Sequence, residues 1–444
     1  MIRASAGQAV YHDFIVAPTT CAPAKRLHCV YVVEGSLDPG RLHRAIRFAM
    51  SGHESLRTSL ETINGELMQV IRDPAEITET PWTTTEWDGR AESIPQIVCD
   101  LDDWWTVPRQ LSVRVVLAWS PAGQTLVACL FNHACSDGHS AQVVADLIWA
   151  EYERPGTNGL ARIEQFGDYY AAMLEDGEAV YPDWVRHLGP PAPAVPQWML
   201  DRKAATAQAW TRVREWSLSP DSVRLLRSAS REYRCSPFEV LAAGVGLYFR
   251  RLDGGPACIG VIHGGRHRSH GFEVVGLLRS YLVDVVDPAP WGDARSVVAA
   301  RAAALRYGFA HLARMPLEEV CRREGIPTGW RAGAPGLWEV ELNGAYAVDG
   351  PPRPDGFTTV AVPADISDEA FCENSGPLFL LYFTLGRDRV DATLRYVNPP
   401  VTDAIAGRVA AEIESMVAFL AEPGQPAHDA PSFAHTARDF EPLE

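Results

Sequence analysis

At 444 residues the chain is too long for one small hydrophobic core and has room for two to four folding units. Its 47% hydrophobic and 22% charged residues exclude a wholly disordered or fibrous chain. The formal charge of −16, from 40 Lys and Arg against 56 Asp and Glu, repels phosphate backbones and anionic lipid, so neither nucleic acid nor membrane is an expected partner. The opening MIRASAGQAVYHDF has no apolar leader, and no apolar run is long enough to span a bilayer. Nine scattered cysteines without a C-x-x-C pair read as reduced thiols, so the expected location is the cytoplasm.

In chain order, residues 27–33 read as a strand. A helix follows from Asp38 with Pro39 at its start, and Leu42, Ala45, Ile46, Ala49 and Met50 share one face of it. Residues 58–63 and 66–71 flank Asn64-Gly65, a hairpin turn signal. Strands are expected at 112–119 and 124–133. The helix from His139 then carries Ala141, Val144, Ala145, Ile148, Trp149 and Tyr152 on one stripe. The second half repeats these ingredients. Strands are expected at 213–218, 258–263, 281–286, 338–343, 378–385 and 391–396. Helices are expected at 221–232, 236–251, 293–312 and 403–420. Residues 188–197, LGPPAPAVPQ, are proline-rich and aperiodic, which marks a junction. The expected division is an N-terminal lobe 1–187, a linker 188–206 and a C-terminal lobe 207–444. The tail from Glu422 is expected to be loosely held. Strands and helices mixed in both halves predict a pair of α/β sandwiches.

One segment carries chemistry. Residues 131–140 read F-N-H-A-C-S-D-G-H-S, at a strand end and a helix start. Alternation along a strand points Asn132 and His133 opposite ways, so only one of them can face a substrate. The imidazole of His133 can take a proton near neutral pH, and the Asn132 amide cannot. Gly138 allows a positive φ and leaves its amide accessible. Asp137 either caps the helix or pairs with a cation that holds the turn. Three histidines, His263, His267 and His270, cluster in HGGRHRSH. No acidic or cysteine ligand accompanies them there, so no metal site is expected.

Residues 132–140 resemble the H-H-x-x-x-D-G-x-S motif of condensation domains of nonribosomal peptide synthetases, in the chloramphenicol-acetyltransferase-like superfamily. Further segments follow in family order. Ser5-Ala6-Gly7-Gln8 is similar to S-x-A-Q, and GHESLRTSL from Gly52 to R-H-E-x-L-R-T-x-F. Phe166-Gly167-Asp168-Tyr169 resembles Y-x-D-F, VGLLRSYLVDVVD from Val275 resembles G-x-F-x-N-T-L, and Met315–Val320 resembles P-F-E-x-L. Asn132 stands where the first His is usual. Gly52 replaces the first Arg of its motif, and Ser280-Tyr281 replace Asn-Thr.

The resemblance implies an α/β fold of two chloramphenicol-acetyltransferase-like lobes in a V-shaped pseudo-dimer. It implies a condensation enzyme that joins an acyl thioester to an amine or alcohol and gives an amide or ester. The donor would ride on the phosphopantetheine arm of a peptidyl or acyl carrier protein, with no permanently bound cofactor. The acceptor would be carrier-bound or a free small molecule. His133 and Gly138 would be the catalytic residues, Asp137 would pair with Arg57 in support of the site, and Ser280 would contact substrate at its floor. His133 argues against a heterocyclisation domain, and the lack of an E-G-H-G-R-E-like segment against an epimerisation domain. No adenylation-sized region and no G-G-x-S attachment site are present, so both substrates are expected from other proteins or from solution. Two alternatives remain: a CoA-dependent acyltransferase of the same fold, and a non-catalytic docking platform.

Overall fold

The computed structural model describes residues 1–16, 26–35, 37–77, 82–99, 110–157, 163–189, 209–253, 257–286, 294–326, 337–346, 357–360, 371–372, 377–398 and 401–421. The chain forms two compact units. The first comprises Met1–Glu175, Gly264–Arg279 and Asp349–Ser367, and the second Asp176–His263, Ser280–Val348 and Asp368–Glu444. This differs from a single cut near residue 188. The helix Tyr181–Leu188 belongs to the second unit, where Trp184 is buried and its indole N–H donates to the Leu312 carbonyl at 2.8 Å. Two later segments return to the first unit. Most of the expected linker, residues 190–206, and the tail from Glu422 lie outside the described residues.

The first unit is built on a five-stranded sheet in the order Phe357–Val360, Arg26–Val33, Thr125–Asn132, Val113–Trp119, Trp82–Glu86. All pairs are antiparallel except the last, which is parallel. The strand Thr125–Asn132 has almost no polar residues because both of its faces are covered. Val127, Cys129 and Phe131 face the layer that holds the helices Pro39–Gly52 and Gly138–Glu153. Leu126, Ala128 and Leu130 face Tyr11, Ile94 and Val98 on the other side. The helix Pro39–Gly52 begins as the sequence predicts, with the Asp38 carboxylate accepting from the Arg41 N–H at 3.1 Å and Pro39 following the cap. Its buried residues are Leu42, Ala45, Ile46, Ala49 and Met50. The Thr58–Ile63 and Glu66–Ile71 hairpin turns at Asn64-Gly65, both with positive φ (53° and 82°), which the Asn-Gly pair tolerates. Ile2–Arg3 adds a third strand to it.

The second unit has a seven-stranded sheet in the order Ser280–Val286, Ala257–His263, Val340–Tyr346, Phe379–Leu385, Val390–Asn398, Ala209–Ser217, Phe371–Cys372. The strand Val340–Tyr346 is parallel to both of its neighbours and the other pairs are antiparallel. The helix Pro237–Asp253 is buried along Val240, Leu241, Ala242, Ala243 and Val245, in the core that also holds Ile405, Val409 and Ile413 of the helix Asp403–Ala421. Among the described residues no helix is long and apolar enough to cross a membrane.

Candidate active site

His133 lies one residue beyond the strand Thr125–Asn132, in a turn that leads to the helix Gly138–Glu153. The turn is closed by its own side chains. Asn132 Oδ1 accepts from the Ala134 N–H at 2.8 Å, and the Asn132 carbonyl from the Cys135 N–H at 3.0 Å. His133 Nδ1 is 3.1 Å from the Ser136 carbonyl. A carbonyl only accepts, so Nδ1 carries the proton and the neutral ring keeps its lone pair on Nε2. Burial pushes the imidazole below its ordinary value. Its backbone hydrogen bonds, including that to Ser136, and the charge of Asp137 oppose the shift without cancelling it. The His133 ring is thus neutral near pH 7, with its proton on Nδ1. The strand-alternation argument does not apply to it, because the strand has ended. Asn132 is nonetheless occupied with its own turn.

Asp137 answers both readings of its role: it caps the helix, and it pairs with a cation. Its Oδ1 accepts from the Ser140 N–H at 2.9 Å, the Ser140 hydroxyl at 2.8 Å and Arg266 Nη2 at 2.8 Å. Its Oδ2 accepts from Arg266 Nη1 at 2.8 Å and from the N–H groups of Leu278 and Arg279 at 3.0 and 3.1 Å. The Asp137 and Arg266 side chains are 3% and 4% exposed. Burial alone would raise the carboxyl. The Arg266 charge, the Arg266 bonds and those of Ser140 outweigh it and hold the group below the usual carboxylate range.

The partner is therefore Arg266 and not Arg57. Arg57 is buried elsewhere and donates to the carbonyls of Met50, at 2.8 Å, and Arg72. Arg266 comes from the HGGRHRSH segment, which supplies a cation to the turn; among the described residues no metal-binding cluster occurs. The preceding Gly265 sits at φ +64°, and a Cβ there would fall 2.0 Å from the Leu278 carbonyl oxygen. Only glycine lets the loop close onto the segment that Asp137 holds.

The other family-like segments build this arrangement. Ser5 and Gln8 form a reciprocal capping box, with Ser5 N–H to Gln8 Oε1 at 2.9 Å and Gln8 N–H to Ser5 Oγ at 3.1 Å. The box starts the helix Ala6–Val16, whose Tyr11 ring lies 4.5 Å from the His133 ring. The Arg279 guanidinium sits 4.9 Å from the same tyrosine. Phe166 and Tyr169 pack against Val274 and Leu278, and the Tyr169 hydroxyl donates to the Gly265 carbonyl at 3.1 Å. Ser55 donates to the Val275 carbonyl at 2.6 Å. Ser140, Arg266, Tyr11 and Arg279 were not singled out from sequence. Only Ser140, inside the motif, carried a local signal.

The structure corrects the conformation expected of Gly138 and gives Ser280 partners of its own. Gly138 is the first residue of its helix and has no positive φ, and a Cβ there would meet open space. What it offers is an exposed N–H at a helix N-terminus, where backbone donors lack intrahelical acceptors and the dipole favours negative charge. Ser280 is 1% exposed, and its hydroxyl donates to Glu318 and accepts from the Leu317 N–H at 3.0 Å. Those bonds give it a structural task within the second unit.

The turn thus brings together a neutral imidazole, a helix-end amide and a buried ion pair that fixes them. The chain belongs to the condensation-domain family, whose model matches residues 26–328. It is 21% identical over 316 residues to the polyketide synthase-nonribosomal peptide synthetase pyiS of Pyricularia grisea, covering 68% of this chain and 8% of that protein. It is 26% identical over 331 residues to the PKS-NRPS hybrid synthetase cheA of Chaetomium globosum, covering 70% of this chain and 7% of that protein. The chain thus spans a small fraction of these relatives' length. Among solved structures, the condensation domain of the monacolin K polyketide synthase MokA matches with a TM-score of 0.76 at 16% identity, over 96% of this chain and 98% of that one. The X-domain from teicoplanin biosynthesis gives 0.75 at 18% identity over 96% of each chain. SgcC5 from Streptomyces globisporus gives 0.70 at 17% identity, over 96% of this chain and 100% of that one. At such identities the likeness is one of fold, and the fold is the two-lobed chloramphenicol-acetyltransferase-like α/β fold.

Proposed function

We propose that this chain is a condensation enzyme that joins an acyl thioester, carried on the phosphopantetheine arm of a peptidyl or acyl carrier protein, to an amine or alcohol acceptor. The product is an amide or ester. The observation that carries the reading is the His133 tautomer: the Ser136 carbonyl accepts a hydrogen bond from Nδ1–H, which keeps the proton there and leaves a basic Nε2 in a turn of the family's motif. The acceptor's lone pair attacks the thioester carbonyl carbon, and its proton passes to His133 Nε2. The Gly138 N–H is suited to the oxyanion that then forms. Collapse breaks the C–S bond, and the proton held by His133 goes to the departing thiolate. Atoms and charge balance without a cofactor. Asp137 and Arg266 act through the turn, by holding its position.

Membership of a family that works with carrier-bound substrates favours a carrier donor over CoA. Contact between proteins holds the arm near His133 and raises its effective concentration. The test is turnover with the same acyl group on carrier protein and on CoA, in the parent and in His133→Ala. Preference for the carrier and a loss of at least about a hundredfold in the variant are expected. Equal or better use of CoA would promote the CoA acyltransferase. Carrier binding by a parent that turns over neither donor would promote the docking platform.

A further inference from the structure

The proposed reaction leaves Arg57 without a task. It is 7% exposed and donates to the backbone carbonyls of Met50 and Arg72. Glu54 and Asp73 act on it through space, yet among the described residues neither is within ion-pair distance. A guanidinium withdrawn from water without a counter-ion is costly. Arg57 lines a cavity of about 310 Å³ in the first unit, together with Arg44, Arg47, Phe48, Ile77 and Glu151 among others. Arg44 and Arg47 are three residues apart on the helix Pro39–Gly52 and share a face. Arg47 gives one N–H to the Ile77 carbonyl at 2.7 Å and has further donors to offer. Three arginines and one glutamate leave the lining at +2. Glu151 Oε1 is already engaged by the Gly156 N–H at 2.7 Å. The field reaches His43, whose imidazole is lowered by burial first and by Arg47 and Arg44 after it.

We infer that this cavity binds a small organic phosphate ester, with the dianionic phosphate on Arg44, Arg47 and Arg57 and the organic body against Phe48 and Ile77. A phosphate monoester carries close to two negative charges at neutral pH and matches the lining, whereas a carboxylate would leave a positive remainder. Guanidinium groups hold such oxygens in pairs. The size is at the lower end of small-ligand pockets. The cavity is separate from the catalytic turn: Glu151 stands thirteen residues beyond Gly138 on one helix, about 20 Å along its axis. The inference does not depend on the role of His133.

Titration calorimetry on the full chain tests it with 4′-phosphopantetheine, AMP and inorganic phosphate, and with pantetheine as the form without phosphate. At least one ester should bind saturably at one site, more tightly than inorganic phosphate, while pantetheine should not bind. Binding of phosphopantetheine alone would identify a carrier's arm as the source, and binding of AMP would identify a free metabolite. Arg44→Gln and Arg47→Gln, both on partly or fully exposed side chains, should melt like the parent and each weaken binding about tenfold or more. Arg57→Gln should weaken it further. The inference is overturned if neither ester binds at millimolar concentration. It is equally overturned if inorganic phosphate matches the esters, or if the Arg44/Arg47 double variant melts and binds like the parent.

Discussion

Replacing Asp137 by alanine removes the acceptor of six hydrogen bonds and strands a guanidinium that is 4% exposed. The amides of Leu278 and Arg279 lose the Asp137 Oδ2 acceptor at the same stroke, at about 1–3 kcal/mol each if they stay dry. Water entry and relaxation reduce that sum, so the expected cost is the about 3–5 kcal/mol typical of breaking one side of a buried pair. Urea unfolding of Asp137→Ala, Arg266→Met and the double variant measures it. Because the second mutation removes the stranded charge, the double variant should be more stable than the sum of the singles, with a coupling of about 2–3 kcal/mol. The same cycle with Arg57 should be additive within about 0.5 kcal/mol. The depressed carboxyl sets the pH dependence. Its contribution is fully present above the unfolded value near 3.9 and is lost as pH falls through the lower folded value. The gap between parent and Asp137→Ala should therefore narrow only in acid. Coupling to Arg57 and none to Arg266, or a gap that closes near neutral pH, would refute the reasoning.

The acid limb of kcat/KM should lie below about pH 6.5, because burial lowers the imidazole that must be unprotonated to act; a limb above that value would exclude His133 as the base. Asn132→Ala should cost about 1 kcal/mol or more through the lost turn bond and leave turnover near the parent's at temperatures where both are folded; lost turnover with normal melting would place Asn132 in the chemistry. Gly265→Ala should destabilise by more than the about 1 kcal/mol of a strained φ alone, since its Cβ meets a backbone oxygen at 2.0 Å, and an unchanged melting temperature would show that the loop adapts.

Much of the fold is legible because its signals are local. The periodicity of the helix Pro39–Gly52 names its five buried residues, and Asn64-Gly65 names its hairpin. Where an element is short or lacks alternation it goes unread. Trp82–Glu86 is a half-exposed edge strand, W-T-T-T-E, whose burial pattern carries no period of two. Ser5–Gln8 and Phe166–Tyr169 were recognised by resemblance, yet the helices they open were not predicted. The boundary of the units is hidden for a different reason. Gly264–Arg279 joins the first unit through contacts more than a hundred residues apart in sequence, such as Leu278 with Asp137, and composition does not register them.

The site divides along the same line. The turn from His133 to Gly138 is contiguous, so its resemblance to the family motif can be seen in a single segment. The cation that anchors it cannot: among 40 basic residues, charge complementarity alone does not distinguish Arg57 from Arg266. What distinguishes them is the number of bonds the carboxylate must place. Asp137 is a helix cap with Oδ1 turned to Ser140, so its partner must approach from the side where Oδ2 meets the Leu278 and Arg279 amides. Arg266 reaches that side because Gly265 lets the backbone pass within contact of Leu278. Arg57 thus serves the carbonyls of Met50 and Arg72 instead of Asp137, and we assign its charge, beside those of Arg44 and Arg47, to a phosphate.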